Sequence, residues 1–294
     1  MATGVTTQTG FNENPYITVT EYKNAPTSID TNNLVVGGNQ NAQDAELARV
    51  IMRATSYLNE YLNQDLTAVP TTQTQRVRMN SMGFIALHPK ISPILSLSDF
   101  WYGSTPNNLQ QLTDCSVAWF EDQQIIIPLS QFQTTYSSQG PLAFGPNISP
   151  TQQIFTRATF IGGYVNTLAT GTATQSSITV VNPSGIIAGH EYHIADGANS
   201  ETVVVASNYT YGNTTVTLAA PLVFSHAAVT FGNMPAVIKQ ATILMTTVFL
   251  RVRGDSSLTM NITTQPTPNP GNNTRYGSDV ALALDMVNLY RRIR

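Results

Sequence analysis

Leu47, Ile51, Ala54, Leu58 and Leu62 recur at spacings of three and four, while Glu46, Arg49, Arg53, Asn59 and Glu60 fall largely on the opposite side. The spacing predicts an amphipathic helix over 42–63, opened by a cap from Asn41 with Asp44. Each large side chain on its stripe is worth about 1.5–3 kcal/mol when another element covers it. A second helix is predicted over 235–253: Pro235 suits a first helical position, Ile238, Ala241, Met245, Val248 and Val252 keep the period, and Arg251 and Arg253 complement the C-terminal dipole. A third spans 278–294, capped by Ser278-Asp279, with Val280, Leu284, Val287 and Ile293 on one face.

Between these helices the period changes from helical to alternating. Over 72–164, strands are expected at Gln75–Met79, Phe84–Leu87, Ile94–Leu97, Asp99–Gly103, Val117–Phe120, Ile125–Ile127 and Thr156–Ile161, and residues 137–150 form a long loop. From 167 to 234 no helical period survives. Short runs follow at Ser177–Val181, Glu191–Ile194, Glu201–Val205, Thr214–Leu218 and Ala228–Phe231, separated by turn signals such as Asn182-Pro183-Ser184-Gly185 and Asp196-Gly197. Tyr16–Tyr22 reads as a short strand leading into a Thr-capped turn. Residues 1–14 read as a disordered segment or an arm, and 263–274 as a linker.

The expected fold is therefore α+β: a small bundle of three main helices with a β-rich region, forming a core domain of residues 1–166 and 235–294. A small all-β barrel or sandwich, 167–234, is spliced into it. It is an insertion if its two ends lie close in space.

Composition narrows the function. Charged residues make up 11% and hydrophobic ones 41%, against roughly 25% charged in an average soluble chain. The chain is too apolar for a disordered protein, and its weakly charged Thr/Asn/Gln-rich composition suits equally wide subunit contacts or a β-rich protein with long loops. A net charge of −3 includes no basic domain that would advertise nucleic-acid binding. Cys115, the single cysteine, forms no intrachain disulfide. Met1–Gly10 has neither a basic start nor an apolar run, so no signal peptide is expected. The stretch 241–252 is too short for a membrane span.

Candidate chemistry is sparse. His190 and His193 invite a metal reading, but residues three apart on a strand face opposite ways. His226 reads as a core or turn histidine. Glu191, Asp196 and Glu201 fall in one hairpin, where carboxylates are usually solvated. Phe100-Trp101-Tyr102 offers aromatics for sugar binding or for packing. No nucleophile elbow, phosphate loop or dinucleotide fingerprint is present. No catalytic residue, metal or cofactor is expected. The basic end, Tyr290, Arg291, Arg292, Ile293 and Arg294, suits either complementing the helix dipole and keeping the end soluble or docking into an acidic or carbonyl-rich groove, because the guanidinium presents a rigid fork of donors.

The order of motifs resembles the head–tail connector (adaptor) proteins of long-tailed bacteriophages. The resemblance rests on Tyr16–Tyr22, on Ala54-Thr-Ser-Tyr-Leu58 in the first long helix, and on Leu87-His-Pro-Lys-Ile-Ser-Pro-Ile94. It continues through Thr159-Phe-Ile-Gly-Gly-Tyr164, Pro235-Ala-Val-Ile-Lys-Gln-Ala241 and Leu289-Tyr-Arg-Arg-Ile-Arg294. It covers roughly residues 15–100, 155–166 and 235–294. Simple members are shorter and pass almost directly from the Gly-Tyr strand to the next helix, where this chain carries 167–234. The hairpin at 189–201 resembles β insertions of other virion proteins. The family's Tyr-Arg-Arg is often preceded by proline, where this chain has Leu289.

The resemblance implies a non-enzymatic virion protein of the neck, assembled in the host cytoplasm. It would form a homo-oligomeric ring, commonly a dodecamer, below the portal protein. The ring would extend the DNA channel without reading sequence and present a face to a stopper or tail-completion protein, with Tyr290–Arg294 as portal contact. The alternative is a virion surface or carbohydrate-binding protein that uses Tyr192, Tyr209 or Tyr211 of the β module.

Overall fold

The structure, a computed structural model, describes residues 14–78, 84–121, 124–128, 153–252 and 275–292. Residues 1–13 of the expected arm, the loop at 137–150 and the linker at 263–274 lie outside these residues, as do Ile293 and Arg294. The fold is mixed α+β, with four α-helices and three sheets among the described residues. Chain packing divides it into two units, 1–67 with 164–294, and 68–163. Thus the β region separates from the helices, whereas the 167–234 segment belongs with them.

In the first unit, Tyr16–Tyr22 is not a strand. Thr18 opens helix α1 (Val19–Asn24) through a capping box: its hydroxyl accepts from the Glu21 N–H at 3.1 Å, and Glu21 accepts the Thr18 N–H at 2.7 Å. Helix α2 (Gln40–Leu62) is capped by Asn39, which accepts the Ala42 N–H at 3.0 Å; the cap falls two residues before the expected Asn41. It ends where Asn63 turns left-handed at φ 55°.

Pro235 stands just before helix α3 (Ala236–Arg251). Helix α4 (Arg275–Val287) starts earlier than expected, so Ser278 and Asp279 lie within it instead of capping it. It also ends early: residues 288–290 tighten into a 3₁₀ turn, and Arg291 is extended.

Ala54, Leu58 and Leu62 of α2, Ile238, Ala241, Met245 and Val248 of α3, and Val280, Ala283 and Val287 of α4 share one apolar cluster. Tyr16 is fully buried beside them. Its hydroxyl bonds Asn59 and accepts the Leu66 N–H at 3.0 Å, and burial holds its pKa well above the usual phenol value.

The module's strands are β8 (Asn166–Gly171), β9 (Ser177–Val180), β10 (Glu191–Ala195), β11 (Glu201–Val204), β12 (Thr215–Thr217) and β13 (His226–Gly232). They form one antiparallel sheet in the order β11-β10-β13-β8-β9-β12. The sheet curls into a half-barrel whose end strands meet at a Val205–Leu218 bridge, with Ala206 N–H donating to Thr217 O at 2.9 Å. Ile178, Val180, Tyr192, Ile194, Val216 and Phe231 are buried. The module's ends lie side by side: Asn166 pairs with Gly232, and Asn233 and Met234 both donate to Val165 O, at 3.0 and 3.2 Å.

The second unit holds two antiparallel sheets. One contains β1 (Val69–Arg78), β7 (Gln153–Gly162), β3 (Ile94–Thr105) and β4 (Asn108–Gln111), in that order; the other contains β2 (Phe84–Leu87), β6 (Gln124–Pro128) and β5 (Trp119–Glu121). Pro70 is tolerated because β1 is an edge strand. Val77, Phe100, Ile154, Ala158 and Phe160 from the first sheet pool with Ile85, Leu87, Ile125 and Ile127 from the second. The Gln73 and Gln75 side chains reach across to the backbone of His88 and Lys90.

Candidate functional site

The basic segment that ends the described chain is built onto the end of α2. Arg292 N–H donates to Leu62 O at 2.9 Å, Asn63 Nδ2 donates to Arg292 O at 3.3 Å, and Gln64 Nε2 donates to Tyr290 O. These contacts cap the last carbonyl region of α2 and bind the segment in place. Tyr61 Oη bonds Asn288 Oδ1 at 3.2 Å, and the Tyr61 ring carries the Arg291 guanidinium 4.8 Å above its centroid. Tyr290 packs edge-on to Tyr164. Arg291 is exposed while Arg292 is half-buried, and burial lowers the Arg292 pKa from its usual value. Leu289, at 93% exposure, points away from the protein. The segment therefore presents Leu289 and Arg291 outward, while the main chain of 290–292 is internally bound.

Two of the module's three candidate carboxylates, Asp196 and Glu201, are brought together around His226, which the pattern reads as a core or turn histidine. His226, at the start of β13, is enclosed: Nδ1 lies 2.9 Å from Asp196 Oδ2 and Nε2 lies 2.8 Å from Glu201 Oε1, with 1% of its side chain exposed. Two acceptors, one on each nitrogen, call for the doubly protonated imidazolium. Burial alone would lower the His226 pKa, but the hydrogen bonds and charges of Glu201 and Asp196 outweigh it, so the pKa is raised. Burial alone would raise Glu201. The N–H groups of Val223 and Phe224, at 3.0 and 3.1 Å, together with His226, bring it below the usual carboxylate range. This is a clasp between β10, β11, β13 and the loop before β13.

The other candidates separate. Glu191 is exposed on β10, away from the clasp. His193 Nδ1 reaches only Thr202 Oγ1, at 3.5 Å. Among the described residues, no group of three or more His, Cys, Asp or Glu is placed to hold a metal ion. The aromatics expected at the module's surface are largely interior: Tyr192 is buried, bonded to Gly185 O and the Ile187 N–H, and pushed up to about 12 by burial. Tyr209 is buried with its hydroxyl on Asn213 O, leaving Tyr211 exposed. Of Phe100-Trp101-Tyr102, Phe100 is core and stacks with Tyr102, while Trp101 faces outward. Burial, with Asp99 and Asp114 nearby, raises the Cys115 pKa, which disfavours the thiolate a nucleophile needs.

Compared with protein-family models, curated proteins and solved structures, the chain has no significant match. Among the described residues no helix is long and apolar enough to cross a membrane.

A further junction, invisible in the sequence pattern, joins the helices to the module. Glu21 of α1 accepts from Lys239 Nζ of α3 at 2.8 Å and from Asn166 Nδ2 of β8 at 2.9 Å, and Asn166 Nδ2 also donates to Tyr16 O at 2.9 Å. Although burial raises the Glu21 pKa, Lys239 and the other donors bring it below the usual range.

Proposed function

We propose that the chain is a structural subunit of a bacteriophage head–tail connector. In this reading the three long helices act as a bundle, copies assemble as a ring beneath the portal, and the exposed Leu289 and Arg291 contribute to the portal contact with Ile293 and Arg294. DNA passes through the ring without being read in sequence, and the opposite face receives a stopper or tail-completion protein.

The supporting observation is the sealed base of the β module. Val165 receives Asn233 and Met234 on its carbonyl, and its own N–H donates to Asn233 Oδ1 at 2.7 Å. The chain thus leaves Gly163-Tyr164, makes the module, and returns beside its point of departure to start α3. Simple connectors pass almost directly between these two points, so the extra residues leave that path intact.

The test is to mix the purified chain with portal rings and image the product by electron microscopy. The reading expects a ring of density on the portal. It also expects removal of Tyr290–Arg294 to weaken docking more than folding. No density on the portal, or equal loss of docking and thermal stability on truncation, contradicts it.

A further inference from the structure

We infer that the open face of the β1-β7-β3 sheet is a landing surface for the phosphate backbone of duplex DNA. Two cross-strand rows build it. In one, Arg76 pairs with Phe155; in the next, Thr74 pairs with Arg157, which pairs with Trp101 on its other side. The Arg76 Cζ lies 4.6 Å from the Phe155 ring centroid, and the Arg157 Cζ lies 4.9 Å from that of Trp101. A guanidinium laid on a ring keeps its N–H rim open, in the fork that matches a phosphate. Arg78 follows Arg76 on the same side of β1 by strand alternation.

The charge is segregated. Residues 68–163 contain four cations, Arg76, Arg78, Lys90 and Arg157, and four carboxylates, Asp99, Asp114, Glu121 and Asp122. Three of the cations share this face. Arg76, Arg78 and Arg157 are exposed, and none is in an ion pair among the described residues. Asp99 is the carboxylate nearest in register, and it is engaged by Trp101 Nε1 at 2.6 Å and Gln111 Nε2 at 2.8 Å. It braces the ring on which Arg157 lies.

Three exposed guanidinium groups on two neighbouring strands can each meet a backbone phosphate. The rings beneath are covered by arginine, so they are not offered to bases; this favours a duplex over a single strand. Such contacts hold DNA without reading its sequence. The choice of DNA as occupant rests on the connector reading, which places a duplex beside the subunit.

The test uses the full chain and a short labelled DNA duplex, with binding followed by anisotropy from ~50 to ~200 mM salt. Three phosphate contacts give a log–log slope of about −2.7, a roughly 40-fold loss of affinity across that range. Arg76→Gln and Arg157→Gln should each flatten the slope by about 0.9, with melting curves showing that both variants fold. Arg53→Gln, on an exposed position of α2, should leave it unchanged. The inference is overturned by no binding at low salt, by a slope indifferent to both substitutions, by equal affinity for poly-glutamate, which would indicate an acidic protein partner, or by tighter binding of the single strand. Portal docking is imaged on the same samples. Docking without DNA binding sinks this inference alone; DNA binding without docking sinks the connector reading.

Discussion

The module of residues 166–232 and the two-sheet unit of 68–163 are both antiparallel β, but their charged groups are disposed in opposite ways. In the module, His226 is turned inward and held by Asp196 and Glu201, and Glu201 also accepts the Val223 and Phe224 N–H groups. In the two-sheet unit, Arg76 and Arg157 lie outward on Phe155 and Trp101, without a carboxylate partner among the described residues. A charge neutralised in the interior holds strands together, and its removal leaves its partners unpaired. An exposed charge on an aromatic ring adds little to stability and remains available to a partner. Substitution should therefore cost stability in the module and binding in the two-sheet unit.

The largest effect is expected at the module's base. A Cβ on Gly232 would stand 2.0 Å from Val165 O, a backbone atom that cannot swing aside. Gly232→Ala should lower unfolding free energy by about 3 kcal/mol, measured by urea denaturation. A loss near zero would mean that the two ends of the module are not tightly joined.

His226→Leu should cost about 2–3 kcal/mol, because Asp196 and Glu201 then face each other without the cation. The sign of the pH dependence follows from the shifts. The raised His226 pKa contributes stability that is complete below the unfolded value near 6.5 and is lost as pH rises through the folded value. The lowered Glu201 pKa contributes stability present above its unfolded value near 4.5 and lost as pH falls through the folded value. Melting temperature against pH should fall on both sides, and His226→Leu should remove the alkaline fall. An unchanged alkaline limb would show that the clasp is not ionic.

Glu21→Gln should cost about 1–2 kcal/mol by weakening charged hydrogen bonds to Lys239 and Asn166, with hydrogen exchange rising first at α1 and β8. By contrast, Arg76→Gln and Arg157→Gln should each cost less than about 1 kcal/mol in a thermal melt. A larger loss would make those arginines structural and erase the contrast. The smallest effect is expected at Ala228, which sits at φ 53° in the irregularity of β13. Ala228→Gly should gain about 0.5 kcal/mol, the relief of a left-handed alanine less the added freedom of the unfolded chain.

How far these features are legible depends on what kind of signal carries them. The α2 stripe from Leu47 to Leu62 follows from spacing alone, since a repeated period survives local noise. Helix α1 was written in Thr18 and Glu21 as a capping box, but Ile17, Val19 and the alternating threonines pull the pattern toward a strand. Strands β4 and β8 escape detection because Asn108–Gln111 and Asn166–Gly171 are mostly polar; their pairing partners, not their own composition, make them strands. The segment 290–294 could be singled out as a basic end, but not the grip of Asn63 and Gln64 on its backbone. The His226 clasp joins residues 25 and 30 apart in sequence, brought together by the pairing of β10 with both β11 and β13. The Arg76–Phe155 and Arg157–Trp101 stacks likewise require the β1–β7–β3 register.

The most direct measurement is electron microscopy of portal rings mixed with the full chain, beside the same mixture with the chain lacking Tyr290–Arg294. The connector account predicts a ring of subunits seated on the portal with the full chain, and its loss from a truncated chain that still melts cooperatively. Bare portals in both mixtures, or seated rings in both, would contradict it.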